Sequence, residues 1–157
     1  MQGIWHVSFT VSNLARAVSF YQQLGMELVH EQIQDNAYTR RLVGVPDARL
    51  QVAQLCAPGS TPGPSGHHLE LVQYLQPQAE AGDLAVYRPG TAHLAFVVGD
   101  VHAEYRRLDR LGVLFVSPPN LIEAGVNAGG WTCYFRDPDG ITLELVQPPE
   151  HDGTATQ

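Results

Sequence analysis

The sequence predicts an α+β fold of two tandem βαβββ modules, which form a curved mixed sheet with helices outside and a concave face. Two observations carry this prediction. The five-residue word LELVQ occurs twice, at 69–73 and at 143–147. A strand followed by a helix also occurs twice, once ahead of each copy, with His6 and His93 at matching places. An internal repeat of this kind indicates a duplicated structural unit.

The first unit begins with a strand. The segment IWHVSFTV at 4–11 alternates apolar and more polar side chains, as a strand with one packed face does. SNLARAVSFYQQLG follows as a helix, because its apolar residues recur at helical spacing. Ser12 or Asn13 can cap its start, and Gly25 can close its end. Three strands complete the unit: ELVHEQI, LQVAQLC and the segment with the first LELVQ.

The second unit repeats this order. The alternating segment AHLAFVV at 92–98 predicts a strand. Asp100 can cap the helix that VHAEYRRLDRLG predicts after it. Three further strands follow: VLFVSP, WTCYFR and the segment with the second LELVQ. The two strand–helix pairs lie 87 positions apart and the LELVQ copies 74, so the second unit is shorter by the difference, 13 residues. The expected organisation is a first module at 1–76, a linker at 77–90, a second module at 91–148 and a disordered tail at 149–157.

Composition and charge exclude several classes of function. The 157 residues are 44% hydrophobic with a formal net charge of -7, which indicates a globular chain and argues against a nucleic-acid partner. No apolar run reaches the roughly 20 residues of a membrane helix, and the N-terminus does not resemble a signal peptide. The two cysteines are therefore expected as reduced thiols. The sequence predicts a cytoplasmic protein that binds a small molecule.

Strand alternation places one histidine and one glutamate of each unit on the face opposite the LELVQ leucines. These residues are His6 and Glu70 in the first unit, and His93 and Glu144 in the second. A lone histidine or glutamate in a strand would be ordinary, so the prediction rests on their recurrence. If a pseudo-twofold axis relates the units, the four side chains converge, and two adjacent carboxylates repel unless a cation or proton separates them. Two carboxylates and two neutral imidazoles suit one divalent ion: Ni, Zn, Co, Mn or Fe.

The chain resembles the vicinal oxygen chelate superfamily, which contains glyoxalase I, methylmalonyl-CoA epimerase, extradiol dioxygenases and fosfomycin-resistance proteins. The resemblance spans about residues 4–148 and is carried by HVSFTVSNLARAVSFYQQLGMELV, HLAFVVGDVHAEYRRLDRLGV and YFRDPDGITLELVQ. It implies that His6, Glu70, His93 and Glu144 are metal ligands. A His-Glu-His-Glu set is similar to that of bacterial glyoxalase I, whereas extradiol dioxygenases and fosfomycin-modifying enzymes have no carboxylate at the position of Glu70.

The resemblance implies a metal-dependent lyase or isomerase of the glyoxalase I type, which removes a proton alpha to a carbonyl and stabilises the enediolate with its metal. Glu70 and Glu144 are the candidates for the base, and we hypothesise that they act on opposite faces of the substrate. A methylmalonyl-CoA epimerase-like enzyme, an extradiol-type dioxygenase and a non-catalytic small-ligand binding protein are the alternatives. A homodimer is expected, since dimers are common in the superfamily.

Three residues are candidates for substrate binding. A Gly-rich stretch ahead of the strand at 131–136 suits a loop at the mouth of the concave face. Asn127 is expected to bind a polar group and Trp131 to close over the substrate, with ordinary loop polarity and core packing as the alternatives. A four-residue turn at 137–140 would pair Cys133 with Glu144, so that Cys133 lines the site and Tyr134 faces the leucines; a buried structural thiol is the alternative for Cys133.

Overall fold

A computed structural model of the chain describes residues 1–61, 63–78, 80 and 82–150. The chain divides into two compact units, Met1–Gly82 and Asp83–Gln157. The division falls inside the predicted linker, and residues 151–157 of the predicted tail lie outside the described residues. Within the described part of the chain, no helix is long and apolar enough to cross a membrane.

The described part of the first unit contains a four-stranded mixed sheet and two helices. In chain order its elements are β1 (Val7–Thr10), α1 (Leu14–Gln23), β2 (Glu27–Gln34), α2 (Ala37–Val43), β3 (Arg49–Cys56) and β4 (His68–Gln76). The strand order is β1-β4-β3-β2, with β1 parallel to β4 and the other pairs antiparallel. The first and last strands of the unit are therefore neighbours, which brings their side chains together.

Over its described residues, the second unit repeats this arrangement with one helix. Its elements are β5 (His93–Val97), α3 (Val101–Arg110), β6 (Leu114–Phe115), β7 (Asn120–Leu121), β8 (Trp131–Arg136) and β9 (Thr142–Gln147). The strand order is β5-β9-β8-β6, and the short β7 also pairs with β8. Again the first strand lies parallel to the last, and β8 lies antiparallel to it.

The α+β class and the repeated strand–helix–strand plan are confirmed, with two differences of detail. The strands form two sheets, one in each unit, where the sequence predicted one curved sheet. The first unit also contains α2, which was not predicted. This helix has seven residues, too few for a repeating apolar pattern, and its ends are set locally: Asn36 accepts a hydrogen bond from the Thr39 N–H, and Gly44 adopts a left-handed φ of 70°.

The leucines of both LELVQ copies lie in the core. Leu69, Leu71, Leu143 and Leu145 are all buried, on the faces against which α1 packs in the first unit and α3 in the second. Full burial of a leucine side chain is worth about 1.5–3 kcal/mol, so packing alone explains these four residues.

The glutamines of the two copies hold the helices. Gln73 accepts a hydrogen bond from the Leu14 N–H at 2.7 Å, and Gln147 accepts one from the Val101 N–H at 2.9 Å. Each bonded N–H belongs to the first residue of a helix, where no intrahelical acceptor exists. Each LELVQ copy therefore joins its strand to its helix, and neither its leucines nor its glutamine explain the glutamate.

Candidate functional site

The first unit brings His6 and Glu70 together. His6 lies directly before β1, and Glu70 lies on β4, whose pairing with β1 sets Ser8 opposite Glu70. The Nε2 atom of His6 is 3.7 Å from Oε1 of Glu70, and the two side chains are 34% and 19% exposed. The imidazole is thus open to solvent, while the carboxylate is mostly shielded.

The second unit brings His93 and Glu144 together in the same way. His93 begins β5, and the parallel pairing of β5 with β9 sets Ala95 opposite Glu144. In both units the histidine therefore precedes the strand partner of the glutamate by two residues. The Nε2 atom of His93 is 3.2 Å from Oε2 of Glu144. The sequence prediction of one His–Glu pair in each unit agrees with these contacts.

Each pair offers one imidazole nitrogen and one carboxylate oxygen with the spacing of metal ligands. Two such donors on one divalent ion lie about 3 to 3.5 Å apart, given metal–ligand bonds of about 2.0–2.2 Å. The distance of 3.2 Å between His93 and Glu144 lies within this range, and the 3.7 Å between His6 and Glu70 lies just above it. Within its described residues, neither unit by itself groups three or more His, Cys, Asp or Glu side chains around one point. Each unit by itself thus brings together two possible donors.

The two glutamates have different neighbours. The Thr132 hydroxyl lies 2.5 Å from Oε1 of Glu144, and the amide of Gln54 lies 3.4 Å from Oε2 of Glu70. Tyr134 pairs with Glu144 across the strands, and its ring lies 5.2 Å from that of His93. Burial, and then the nearby Glu144 carboxylate, raise the pKa of Tyr134. None of these neighbours was predicted as part of the site.

The predicted pairing of Cys133 with Glu144 is wrong. Cys133 lies opposite Leu145, and Tyr134 lies opposite Glu144. The strands are joined by five residues, 137–141, rather than four, because the Asp137 side chain accepts hydrogen bonds from the N–H groups of Asp139 and Ile141. A shift of one residue turns every side chain of a strand to the other face. Thr132 and Tyr134 therefore share the face of Glu144.

Trp131 lies on the strand face opposite to that of Glu144, and Asn127 lies in the loop ahead of β8. Trp131 shares the strand face of Cys133, which is opposite to that of Glu144, and its ring packs against His102 of α3 at 4.6 Å. That Trp131 closes over a substrate stays a prediction. Asn127 is exposed in the loop ahead of β8, and its substrate contact stays a prediction.

A shallow cavity of about 200 Å³ lies in the second unit, lined by two neighbours of the His93–Glu144 pair but not by the pair itself. Thr132 and Tyr134, the neighbours of that pair, line it together with Val116, Ser117 and Asn120. Cys133 also borders the cavity, although its side chain is buried. The surface of the cavity is predominantly apolar.

Comparison with known proteins gives consistent matches. The family model of the Glyoxalase/Bleomycin resistance protein/Dioxygenase superfamily matches residues 3–145. The chain is 34% identical over 152 residues to the 2-epi-5-epi-valiolone epimerase of an Actinomyces species, covering 93% of this chain and 79% of that protein. It is 29% identical over 159 residues to metallothiol transferase FosB of Shouchella clausii, covering 100% of this chain and 84% of that protein. A glyoxalase family protein of Bacillus cereus has the same fold, with a TM-score of 0.80 and 22% identity over 95% of each chain.

Proposed function

The chain belongs to the Glyoxalase/Bleomycin resistance protein/Dioxygenase superfamily, and from that premise we propose that it is a metal-dependent isomerase or lyase that removes a proton from a carbon next to a carbonyl. One observation carries the proposal: both units present a histidine and a glutamate at the same register position, with N···O distances of 3.7 and 3.2 Å. Glu70 and Glu144 are not themselves buried in a core, because their side chains stay partly exposed while the leucines beside them are buried.

The four side chains are proposed to hold one divalent ion, with His6 and Glu70 from a first unit and His93 and Glu144 from a second. Two neutral imidazoles and two carboxylates balance the ion's charge. Ni, Zn, Co, Mn or Fe fits this donor set. A bound ion would act as a Lewis acid on the substrate carbonyl and so increase the acidity of the neighbouring C–H group.

Proton transfer is assigned to the glutamates. As the C–H bond breaks, a carboxylate oxygen of Glu70 or Glu144 takes the proton, and the electron pair moves onto the carbonyl oxygen. The proton then returns to the carbon skeleton to give the isomer. The partly exposed imidazoles of His6 and His93 suit them to metal binding.

A polyhydroxylated ketone is the proposed substrate class. The Actinomyces relative is named as an epimerase of such a compound, and it is the more similar of the two curated relatives described above. The cavity of the second unit is bordered by Ser117 and Tyr134, whose hydroxyl groups can bond to substrate hydroxyls, whereas the donors of Thr132 and Asn120 are bonded within the protein. Glyoxalase I chemistry on a glutathione hemithioacetal is the second candidate, favoured by the carboxylate at position 70.

The test is solvent exchange in D₂O. The purified chain, loaded in turn with Ni, Zn, Co, Mn or Fe(II), is incubated with 2-epi-5-epi-valiolone, with a methylglyoxal–glutathione hemithioacetal and with methylmalonyl-CoA. We expect deuterium to enter the carbon next to the carbonyl of at least one of them, and a variant with both Glu70→Gln and Glu144→Gln to lose this exchange by at least about 100-fold. Exchange undiminished in that variant would contradict the proposal.

Other reactions of the superfamily are separable in the same experiment. Oxygen consumption with a catechol in the Fe(II) form would indicate a dioxygenase, and transfer of a thiol to fosfomycin would indicate a transferase like the Shouchella relative. Tight binding of a ketone without exchange under any metal would indicate a binding protein. Each of these results, obtained in the absence of exchange, would replace the proposed function.

A further inference from the structure

We infer that the second unit binds the part of the substrate that does not react, in the cavity lined by Val116 and Tyr134, and that the end of helix α2 closes the corresponding place on the first unit. The ligand class that fits the cavity is a small uncharged ring compound with hydroxyl groups. This inference rests on the proposed function for the reaction itself, and it adds where the rest of the substrate lies and that it carries no charge.

In the first unit, the strand face that carries Glu70 holds a second apolar patch. Leu50 and Val52 of β3 lie on the same face as Gln54, which is the strand partner of Glu70. Both are buried, with 4% and 3% of their surface exposed. The patch begins two residues along β3 from Gln54, so it adjoins the glutamate.

The end of α2 covers this patch. Val43 is the last residue of α2, and Val45 follows it after one glycine. Both pack against the buried cluster of Ala48, Leu50 and Val52. A ligand therefore cannot lie on this part of the sheet, because protein side chains already fill it.

The corresponding place in the second unit is open. Thr132 corresponds to Val52, since each lies two residues before the strand partner of the glutamate in its unit. Val52 is buried, whereas Thr132 is partly exposed and lines the cavity of about 200 Å³ together with Val116 and Tyr134. Residues 116–130 connect β6 to β8 and contain the short β7, but no helix comparable to α2.

Two residues that line the cavity also contact the proposed metal donors of this unit. The Thr132 hydroxyl is 2.5 Å from Oε1 of Glu144, and the ring of Tyr134 is 5.2 Å from that of His93. One side chain thus separates a ligand in the cavity from the His93–Glu144 pair. A substrate whose carbonyl lies at this pair can place its remaining atoms over Tyr134.

The cavity offers no charged side chain to a ligand. The residues that line it are Val116, Ser117, Asn120, Thr132, Cys133 and Tyr134. Further along the same face of β8, the guanidinium of Arg136 donates hydrogen bonds to the Gly140 carbonyl and the Thr142 hydroxyl. A charged group that leaves water without a partner is destabilised, and the chain's net charge of -7 also repels anions. The cavity therefore favours an uncharged ligand.

The predominantly apolar surface favours a ring. The C–H face of a six-membered ring can pack on Val116 and on the aromatic ring of Tyr134. The hydroxyl groups of Ser117 and Tyr134 can bond to hydroxyl groups at the edge of that ring. A hydroxylated cyclic ketone satisfies both requirements.

The test locates the ligand by NMR. The protein is labelled at its valine methyl groups, loaded with diamagnetic Zn and mixed with 2-epi-5-epi-valiolone. We expect nuclear Overhauser effects between ligand protons and the methyl groups of Val116, and none with those of Val43 and Val45. Effects with Val43 or Val45, or none with Val116, would overturn the inference.

Filling the cavity gives a second measurement that does not depend on turnover. Val116→Trp is expected to weaken binding of the same ketone by at least about 10-fold in calorimetry, while metal affinity changes by less than about 3-fold. The control is Val86→Trp, at an exposed valine outside the cavity, which should change either affinity by less than about 2-fold. Thermal melts show whether both variants are folded. Equal ketone affinity in V116W and wild type would overturn the inference.

The ligand's charge is tested with methylmalonyl-CoA. We expect this anion to bind at least about 10-fold more weakly than 2-epi-5-epi-valiolone in the Zn-loaded protein. Equal or tighter binding of the CoA ester would contradict the uncharged ligand class.

Failure of this inference differs from failure of the proposed function. If the ketone contacts Val116 but exchanges no hydrogen under any metal, the proposed function falls and the cavity keeps its assignment as a binding site. If the ketone exchanges hydrogen while it contacts Val43 or Val45, the proposed function stands and the location of the substrate is wrong.

Discussion

At the scale of single residues, the Cys133 thiol is expected to make the protein sensitive to alkali. Burial, and then the Glu144 carboxylate, raise the pKa of Cys133 from 9.0 to about 11. The folded protein therefore keeps its proton at a pH where the unfolded chain has lost it. The contribution of this protonated thiol to the free energy of unfolding is fully present below about pH 9 and is lost as the pH rises through about 11.

The measurement is urea unfolding at pH 7, 9, 10 and 11, on wild type and on Cys133→Ala. Wild type should lose free energy of unfolding across this range. The C133A variant starts lower, since it leaves a small cavity in the core, but should lose less between pH 9 and pH 11. Burial also raises the pKa of Cys56, and burial together with the Glu144 carboxylate raises the pKa of Tyr134. Part of the loss of stability at high pH should therefore persist in C133A. If the free energy of unfolding fell equally in wild type and C133A between pH 9 and pH 11, Cys133 would not be the cause of the loss.

The His–Glu pairs could be predicted from the sequence, and their neighbours could not. His6 and Glu70 recur as His93 and Glu144, and this recurrence was enough to predict the pairs. Strand alternation fixes the face of each residue once the strand is known. Thr132 and Tyr134 were missed because the face of β8 depends on the length of the turn before β9. The Asp137 side chain sets that length through two hydrogen bonds, which the pattern of the sequence does not show.

At the scale of elements, Gln147 is expected to stabilise the second unit through the start of α3. Its side-chain oxygen accepts the N–H of Val101, a fully buried residue. Replacing Gln147 by Leu leaves that N–H without its partner and is expected to lower the free energy of unfolding by about 1–2 kcal/mol. Gln147→Glu keeps an acceptor and adds a negative charge near a helix N-terminus, so it should retain most of the stability.

Urea denaturation of the two variants checks this expectation, with Gln32→Leu as the matched control. Gln32 lies exposed in β2, and its loss should change stability by less than about 0.5 kcal/mol. Equal stabilities of Q147L and Q147E would show that the hydrogen bond to Val101 contributes nothing. The same comparison at Gln73 tests the corresponding bond to Leu14 in the first unit.

Most elements followed from sequence periodicity, and the exceptions are short. Helices α1 and α3 have ten residues each, with capping residues Asn13 and Asp100 at their starts, and both were predicted. Helix α2 has seven residues and β7 has two, lengths at which periodicity carries little information. The ends of α2 did carry a signal, an asparagine before it and a glycine after it, which local capping rules could have detected.

At the scale of the whole molecule, the two units are expected to depend on each other for metal binding. Each unit offers two donors over its described residues, and a tightly bound divalent ion needs at least three or four. The pairs His6–Glu70 and His93–Glu144 should therefore be required together. A chain with alanine at both residues of either pair is expected to lose tight binding, although its other pair is intact.

Thermal unfolding with and without added metal provides the measurement. At a free metal concentration of 100 times Kd, binding stabilises the folded state by about 2.7 kcal/mol, which corresponds to a rise in Tm of about 5–10 °C for a chain of this size. EDTA should abolish the rise in wild type, and neither double variant should show it. A full rise in either variant would contradict the four-donor site. Mixing the two variants then shows whether both pairs of a site come from one chain or from two. Metal binding can return on mixing only if the first pair of one chain binds the ion together with the second pair of another chain.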